Sequence, residues 1–98
     1  MDMADRYIGD GHSFRKIGAP HTYKVGDMVF YSCSNHTVAG EGMFIGRLKA
    51  APDILILIIG ATAVETEAEH CAPIGSGFPA DGQSRRRAYV KQRPGTLL

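Results

Sequence analysis

Six consecutive aliphatic residues, Ile54 to Ile59, constrain the fold of this chain more than any other feature. Four of the six are isoleucine, and this β-branched composition favours a short strand over a helix. A strand without any polar residue needs cover on both faces. The run is also far shorter than the roughly 20 residues that cross a bilayer as a helix. We therefore predict the central strand of a buried sheet, ending at Gly60.

Two further strands are predicted on the N-terminal side of this run. Gly26-Asp27 makes a turn before a β-prone apolar strand at residues 28–31. Residues 35–42 collect loop-forming glycine, asparagine and threonine, and a second strand is predicted at 42–49, followed by a turn at Pro52-Asp53.

The segment from Thr62 to Glu69 fits two structures. As a strand it alternates strictly, with Val64, Thr66 and Ala68 inward and Glu65, Glu67 and Glu69 outward. As a helix it has Thr62 and Glu65 in capping-box spacing and an apolar stripe of Val64, Ala68 and Cys71. We favour the strand, and in both cases we expect the three glutamates to face water.

The whole chain has 98 residues, which is enough for one domain with one modest core. Its 44% hydrophobic and 21% charged residues are typical of a folded globular protein. We predict a mainly β fold, a small barrel of about five short strands, in three parts: an irregular N-terminal arm (1–22), a β-barrel body (23–74) and a loop with a basic C-terminal tail (75–98).

Charge is distributed unevenly along the chain. The first 83 residues carry six basic and ten acidic side chains, whereas the segment from Ser84 onward carries five basic and no acidic ones. Clustered guanidinium groups beside an aromatic ring can hold phosphates and stack on a base. This pattern predicts a nucleic-acid-binding tail formed by Arg85, Arg86, Arg87, Tyr89, Lys91 and Arg93. The alternatives are a solvated tail and a tail folded back on the acidic body, and Ala88–Val90 could add one short strand.

Two cysteine and histidine pairs, Cys33 with His36 and His70 with Cys71, supply the four ligands that a structural zinc site requires. Neighbouring residues on a strand point to opposite faces, so His70 and Cys71 are poorly placed to bind one ion. We expect packed free thiols rather than a metal site, a disulfide or a Cys-His nucleophile, which would lack an orienting third group. The glycine pairs Gly9/Gly11, Gly40/Gly42 and Gly75/Gly77 lack the lysine and the strand-to-helix context of phosphate-binding loops. From the sequence we therefore assign no catalytic residue, no metal and no cofactor.

The strand that opens with Gly26-Asp27 and the strand that contains Ile45-Gly46-Arg47-Leu48 resemble the SH3-like small barrels, a group that includes KOW, Tudor and bromo-adjacent-homology modules. The resemblance covers roughly residues 23–74. The order of three short segments is also similar to the sequence pattern of the plasmid-type, trimethoprim-insensitive dihydrofolate reductases, whose barrels form a tetramer around a shared pore. These segments are Gly26 to Val29, Ile45-Gly46 and Val64 to Ala68. The Val-Gln-Ile-Tyr pore segment of that family is missing here, and no catalytic residue is transferred.

These observations favour a non-enzymatic binding module that contacts nucleic acid, or an acidic protein surface, through the barrel and the basic tail. The alternative is a small homo-oligomer with a ligand-binding or catalytic pocket shared between subunits. The first residues of the chain resemble no signal peptide, so we expect a cytoplasmic protein without a membrane partner.

Overall fold

The computed structural model describes residues 6–9, 14–17, 22–32 and 39–98. Strands dominate this part of the chain, together with one turn of 3-10 helix and one α-helix. In chain order the elements are β1 Arg6–Gly9, β2 Phe14–Ile17, β3 Asp27–Ser32, β4 Ala39–Arg47, β5 Ile54–Ile59, β6 Thr62–Glu67, the 3-10 turn Ala68–His70, β7 Cys71–Ser76 and α1 Pro79–Gln92. The prediction of a mainly β fold is therefore confirmed.

Within the described residues, five strands form one antiparallel sheet in the order β6-β5-β4-β3-β7. Strands β3 to β6 form a meander, and the chain then returns so that β7 pairs with the other edge of β3. This arrangement is compatible with a small barrel-like fold. The prediction that Ile54–Ile59 is the central strand is wrong, because β4 occupies the middle. The apolar run reflects cover on both faces, which does not depend on position in the sheet.

The main core lies on one face of the sheet. It consists of fully or almost fully buried side chains from four strands, namely Val29, Phe44, Leu55, Leu57 and Cys71. The partly buried side chains of Tyr23, Tyr31 and Ala68 pack against this core. On β5, Ile56 alternates with these residues and is nevertheless only 1% exposed. The predicted burial of this strand on both faces is therefore confirmed.

The segment from Thr62 to Glu69 divides between two structures. Residues 62–67 form β6, paired with β5 along its whole length, and Ala68–His70 form the 3-10 turn. Glu65, Glu67 and Glu69 are all exposed, as predicted. Strand β7 includes Pro73, which lacks an amide hydrogen and is tolerated because β7 lies at an edge of the sheet.

Several element boundaries differ from the sequence-based predictions. β4 begins at Ala39, so residues 39–42 belong to a strand and not to the predicted loop. The N-terminal arm was predicted to be irregular, but its β1 and β2 pair as antiparallel strands. Strands of four residues are too short to establish a period, so only the pairing partner identifies them.

The C-terminal segment contains a helix, α1, where the sequence analysis predicted a loop and a tail. The suggested strand at Ala88–Val90 is wrong, because these residues lie inside α1. The helix lacks the apolar stripe by which an amphipathic helix is recognised. Its other signals were present: Pro79 at the start, Asp81 in the first turn and Lys91 in the last.

Three glycines seat the beginning of α1 against the turn before β3. Gly26 has a positive φ of 98°, and its carbonyl accepts a hydrogen bond of 3.0 Å from the Gly77 amide. A Cβ atom at Gly82 would lie 2.5 Å from the Cα of Gly26. The two backbones therefore touch directly, and this contact permits no side chain at Gly82 without a shift of the helix.

Residues 96–98 continue from α1 to the end of β4. The Lys49 amide donates to Thr96 O at 2.8 Å, and the Leu98 amide donates to Arg47 O at 3.0 Å. The end of the chain is therefore attached to the sheet.

Candidate nucleic-acid interface

The six residues predicted to contact nucleic acid all lie on α1 or at its C-terminal cap, Arg93. Residues three and four apart share one side of a helix, so α1 separates the six into groups. Arg86 and Tyr89 are half-buried, whereas Arg85, Arg87, Lys91 and Arg93 are exposed. The linear cluster is thus divided between the side that faces the sheet and the sides that face solvent.

Arg86 is a structural residue. β4 pairs with β5 through Phe44 opposite Leu57 and Gly46 opposite Ile56, which makes Ile45 the extra residue of a β-bulge. A bulged residue lacks a partner in the strand ladder. The Arg86 Nη1 atom donates to the carbonyl oxygen of Ile45 at 2.7 Å, and Nη2 donates to the main-chain oxygen of Leu98 at 2.5 Å.

The guanidinium of Arg86 therefore joins α1 to the bulge and to the end of the chain. The Arg86 Nη1 atom occupies the space beside Gly46 that a Cβ atom at this position would need, so a side chain at Gly46 would collide with the guanidinium. Arg86 is consequently engaged within the protein and does not project toward a ligand.

Tyr89 and Arg93 contact each other. The Arg93 guanidinium carbon lies 5.8 Å from the centre of the Tyr89 ring, within the range of a cation–π interaction. Both residues line a cavity of about 290 Å³ with Ile56 and Glu65. The ring of Tyr89 is therefore a half-buried part of this cavity, and Arg93 lies over one of the two faces on which a base could stack.

Arg85, Arg87 and Lys91 project from the exposed sides of α1. Arg85 Nε lies 4.0 Å from the Asp81 carboxylate, a solvent-exposed pair that contributes little stability. Arg87 and Lys91 are one helical turn apart, and neither forms an ion pair with any residue in the described ranges. They form a strip of positive charge on a helix that is fixed to the sheet.

A second cavity, of about 390 Å³, lies between α1 and the sheet, and its lining includes Tyr23, Phe44, Arg47 and Arg86. The Tyr23 ring packs on Phe44 with 5.4 Å between ring centres. Burial raises the pKa of the Tyr23 hydroxyl well above its ordinary value. This phenol therefore stays protonated at neutral pH.

Of the cysteines and histidines considered as zinc ligands, the structure describes His70 and Cys71. Cys71 is a free, fully buried thiol whose Sγ donates to Glu67 O at 3.4 Å. Burial raises the pKa of this thiol to about 12, so it stays protonated at neutral pH. His70 instead lies beside Glu67 and Glu69. Cys33 and His36 are outside the described residues.

Comparison of the chain with protein-family profiles, with curated proteins and with solved structures found no significant match. The helix that the described ranges contain is too short and too polar to cross a bilayer. The assignment of a function therefore depends on the geometry and charge of the chain itself.

Proposed function

We propose that this chain is a small SH3-like binding module that contacts nucleic acid through the exposed basic side chains of α1. The observation that carries the proposal is the strip of Arg87 and Lys91 on a helix that Arg86 attaches to the sheet, with Arg85 and Arg93 exposed on other sides of the same helix. Because the backbone of α1 is already ordered, only the side chains lose conformational freedom when these cations meet phosphates.

The topology supports the architectural part of this proposal. A meander of four strands, followed by a fifth that returns to pair with the first, is the arrangement expected of an SH3-like barrel. The 3-10 turn between β6 and β7 fits the same comparison, since it carries the chain from one edge strand of the sheet to the other. Fold alone specifies no ligand, so the ligand is inferred from the charged side chains.

The interface has four cations instead of the five in the linear sequence, because Arg86 is engaged by Ile45 and Leu98. On duplex DNA each neutralised phosphate adds about −0.9 to the slope of log affinity against log salt. Four contacts therefore predict a slope of about −3.6. Backbone contacts of this kind carry no sequence information, so we expect binding with little sequence preference.

The test measures the salt dependence of binding to a labelled DNA duplex and to a labelled single-stranded RNA. The double variant Arg87→Gln with Lys91→Gln should make the slope on duplex DNA shallower by about 1.8. The matched control is Lys24→Gln with Lys49→Gln, which removes the same charge from two exposed lysines outside α1 and should leave the slope unchanged. Point variants are preferable to truncation, because residues 96–98 and Arg86 hold α1 to the sheet.

Two results would reject the proposal. One is the absence of binding to either nucleic acid at low salt. The other is an equal loss of slope in both double variants, which would mean that net charge and not the helix surface attracts the ligand. A chain that binds an acidic protein surface but neither nucleic acid would also reject the proposal.

A further inference from the structure

A cluster of polar side chains lies where β6 ends and the chain turns into β7. Glu67 is the last residue of β6, and Glu69 and His70 belong to the 3-10 turn that follows. The possible ligand atoms of these three residues all lie within 4.8 Å of one another. His70 is only 9% exposed, whereas both carboxylates reach solvent.

The imidazole of His70 lies between the two carboxylates. Its Nδ1 atom is 3.6 Å from Glu67 Oε2, and its Nε2 atom is 3.8 Å from Glu69 Oε1. Both distances exceed a hydrogen bond, although buried polar groups are normally hydrogen-bonded. Two ligands bound to one tetrahedral Zn²⁺ at about 2.0–2.1 Å stand roughly 3.3 Å apart. The separation of Nδ1 and Glu67 is thus close to that of a pair sharing one ion.

Ser32 supplies an independent observation at the same place. Ser32 is only 6% exposed, and its Oγ atom has no hydrogen-bond partner among the described residues. Ser32 lines a cavity of about 290 Å³ together with Glu65, Glu67 and His70. A cavity of this size with polar groups on several sides has room for an ion and the water molecules around it.

We propose that Glu67 and the Nδ1 atom of His70 bind a divalent transition-metal ion of the Zn²⁺ class. Glu69 lies 3.8 Å from Nε2 of the same ring, and its negative charge favours the tautomer that carries the proton on Nε2 and leaves Nδ1 free to bind the ion. Water fills the remaining coordination positions inside the cavity, which Ser32 also lines. Imidazole with carboxylate favours zinc and its neighbours over magnesium or calcium, which prefer oxygen ligands alone.

The test is isothermal titration of the full chain with ZnCl₂, and separately with MgCl₂ and CaCl₂. We expect Zn²⁺ to bind and the two hard ions to bind at least tenfold more weakly. Glu67→Gln and His70→Gln should each weaken Zn²⁺ binding at least tenfold, and Glu69→Gln should weaken it about 10- to 100-fold, because the charge that favours the Nε2–H tautomer is lost. The control Glu65→Gln removes the same charge from the same cavity and should change the affinity less than threefold.

A spectroscopic measurement accompanies the titrations, because His70 is buried and its replacement could disturb the fold. The ¹⁵N resonance of His70 Nδ1 should shift on addition of Zn²⁺ in the unmodified chain and in Glu65→Gln, but not in Glu67→Gln. Failure of the unmodified chain to bind Zn²⁺, or equal affinities of Glu67→Gln and Glu65→Gln, overturns the site. Equal affinities of Glu69→Gln and Glu65→Gln overturn the role given to Glu69.

Discussion

Replacement of Arg86 by alanine tests whether this arginine is structural. The change removes a part-buried hydrogen bond of 2.7 Å to Ile45 O and an exposed one of 2.5 Å to Leu98 O. A hydrogen bond from a charged donor contributes about 1.5–3 kcal/mol, and an exposed one contributes less. The carbonyl of Ile45, bulged out of the ladder, also loses its partner. We expect unfolding to become easier by about 2–4 kcal/mol.

The measurement is urea unfolding followed by far-UV circular dichroism, because the chain has no tryptophan for fluorescence. The matched control is Arg87→Ala, one residue along the same helix and exposed, which should change stability by less than about 0.5 kcal/mol. Arg86→Lys should recover only part of the loss, because one ammonium group cannot reproduce the two-pronged geometry. If Arg86→Ala and Arg87→Ala lose the same stability, the assignment of Arg86 as a structural residue is wrong.

Three further predictions concern the interior. Gly82→Ala should destabilise the protein by about 1–3 kcal/mol despite the better helix propensity of alanine, because its Cβ meets backbone at Gly26; a urea melt in which it equals the exposed control Ser84→Ala would contradict this contact. Ile56→Ala should cost about 2–5 kcal/mol in the same assay, and a loss below about 0.5 kcal/mol is incompatible with its burial. The raised pKa of Cys71, about 12, means that the folded thiol keeps a proton that the unfolded chain releases above its ordinary pKa of 9.0. Stability should therefore fall as pH rises from about 9 toward 12, by up to about 1.4 kcal/mol per pH unit, and Cys71→Ala should lack this component; equal pH slopes for the two proteins would exclude it.

The candidate interface was only partly predictable from sequence. The basic residues from Arg85 to Arg93 are evident as a linear cluster, and their net charge does not depend on the fold. Which of them face solvent depends on the helical period of α1 and on its attachment to the sheet. The sequence predicts Arg86 as a ligand-binding residue, whereas in the structure its side chain donates to the carbonyl of Ile45. The sequence does not reveal this partner, because the β-bulge at Ile45 arises from the pairing of β4 with β5. The cluster of Glu67, Glu69 and His70 could not be predicted from the sequence either, because the 3-10 turn places His70 beside the two glutamates.

The sequence by itself determined the local and compositional properties of this protein. The aliphatic run at Ile54–Ile59 required a strand covered on both faces, and the alternation after Thr62 required exposed glutamates, because both patterns act within a few residues. The tertiary structure decided the order of the strands, the bulge in β4 and the existence of α1. That helix is held by backbone contact at Gly82 and by the hydrogen bonds of Arg86. Contacts between residues far apart in the chain leave no periodic pattern within either segment, and so only the assembled fold reveals them.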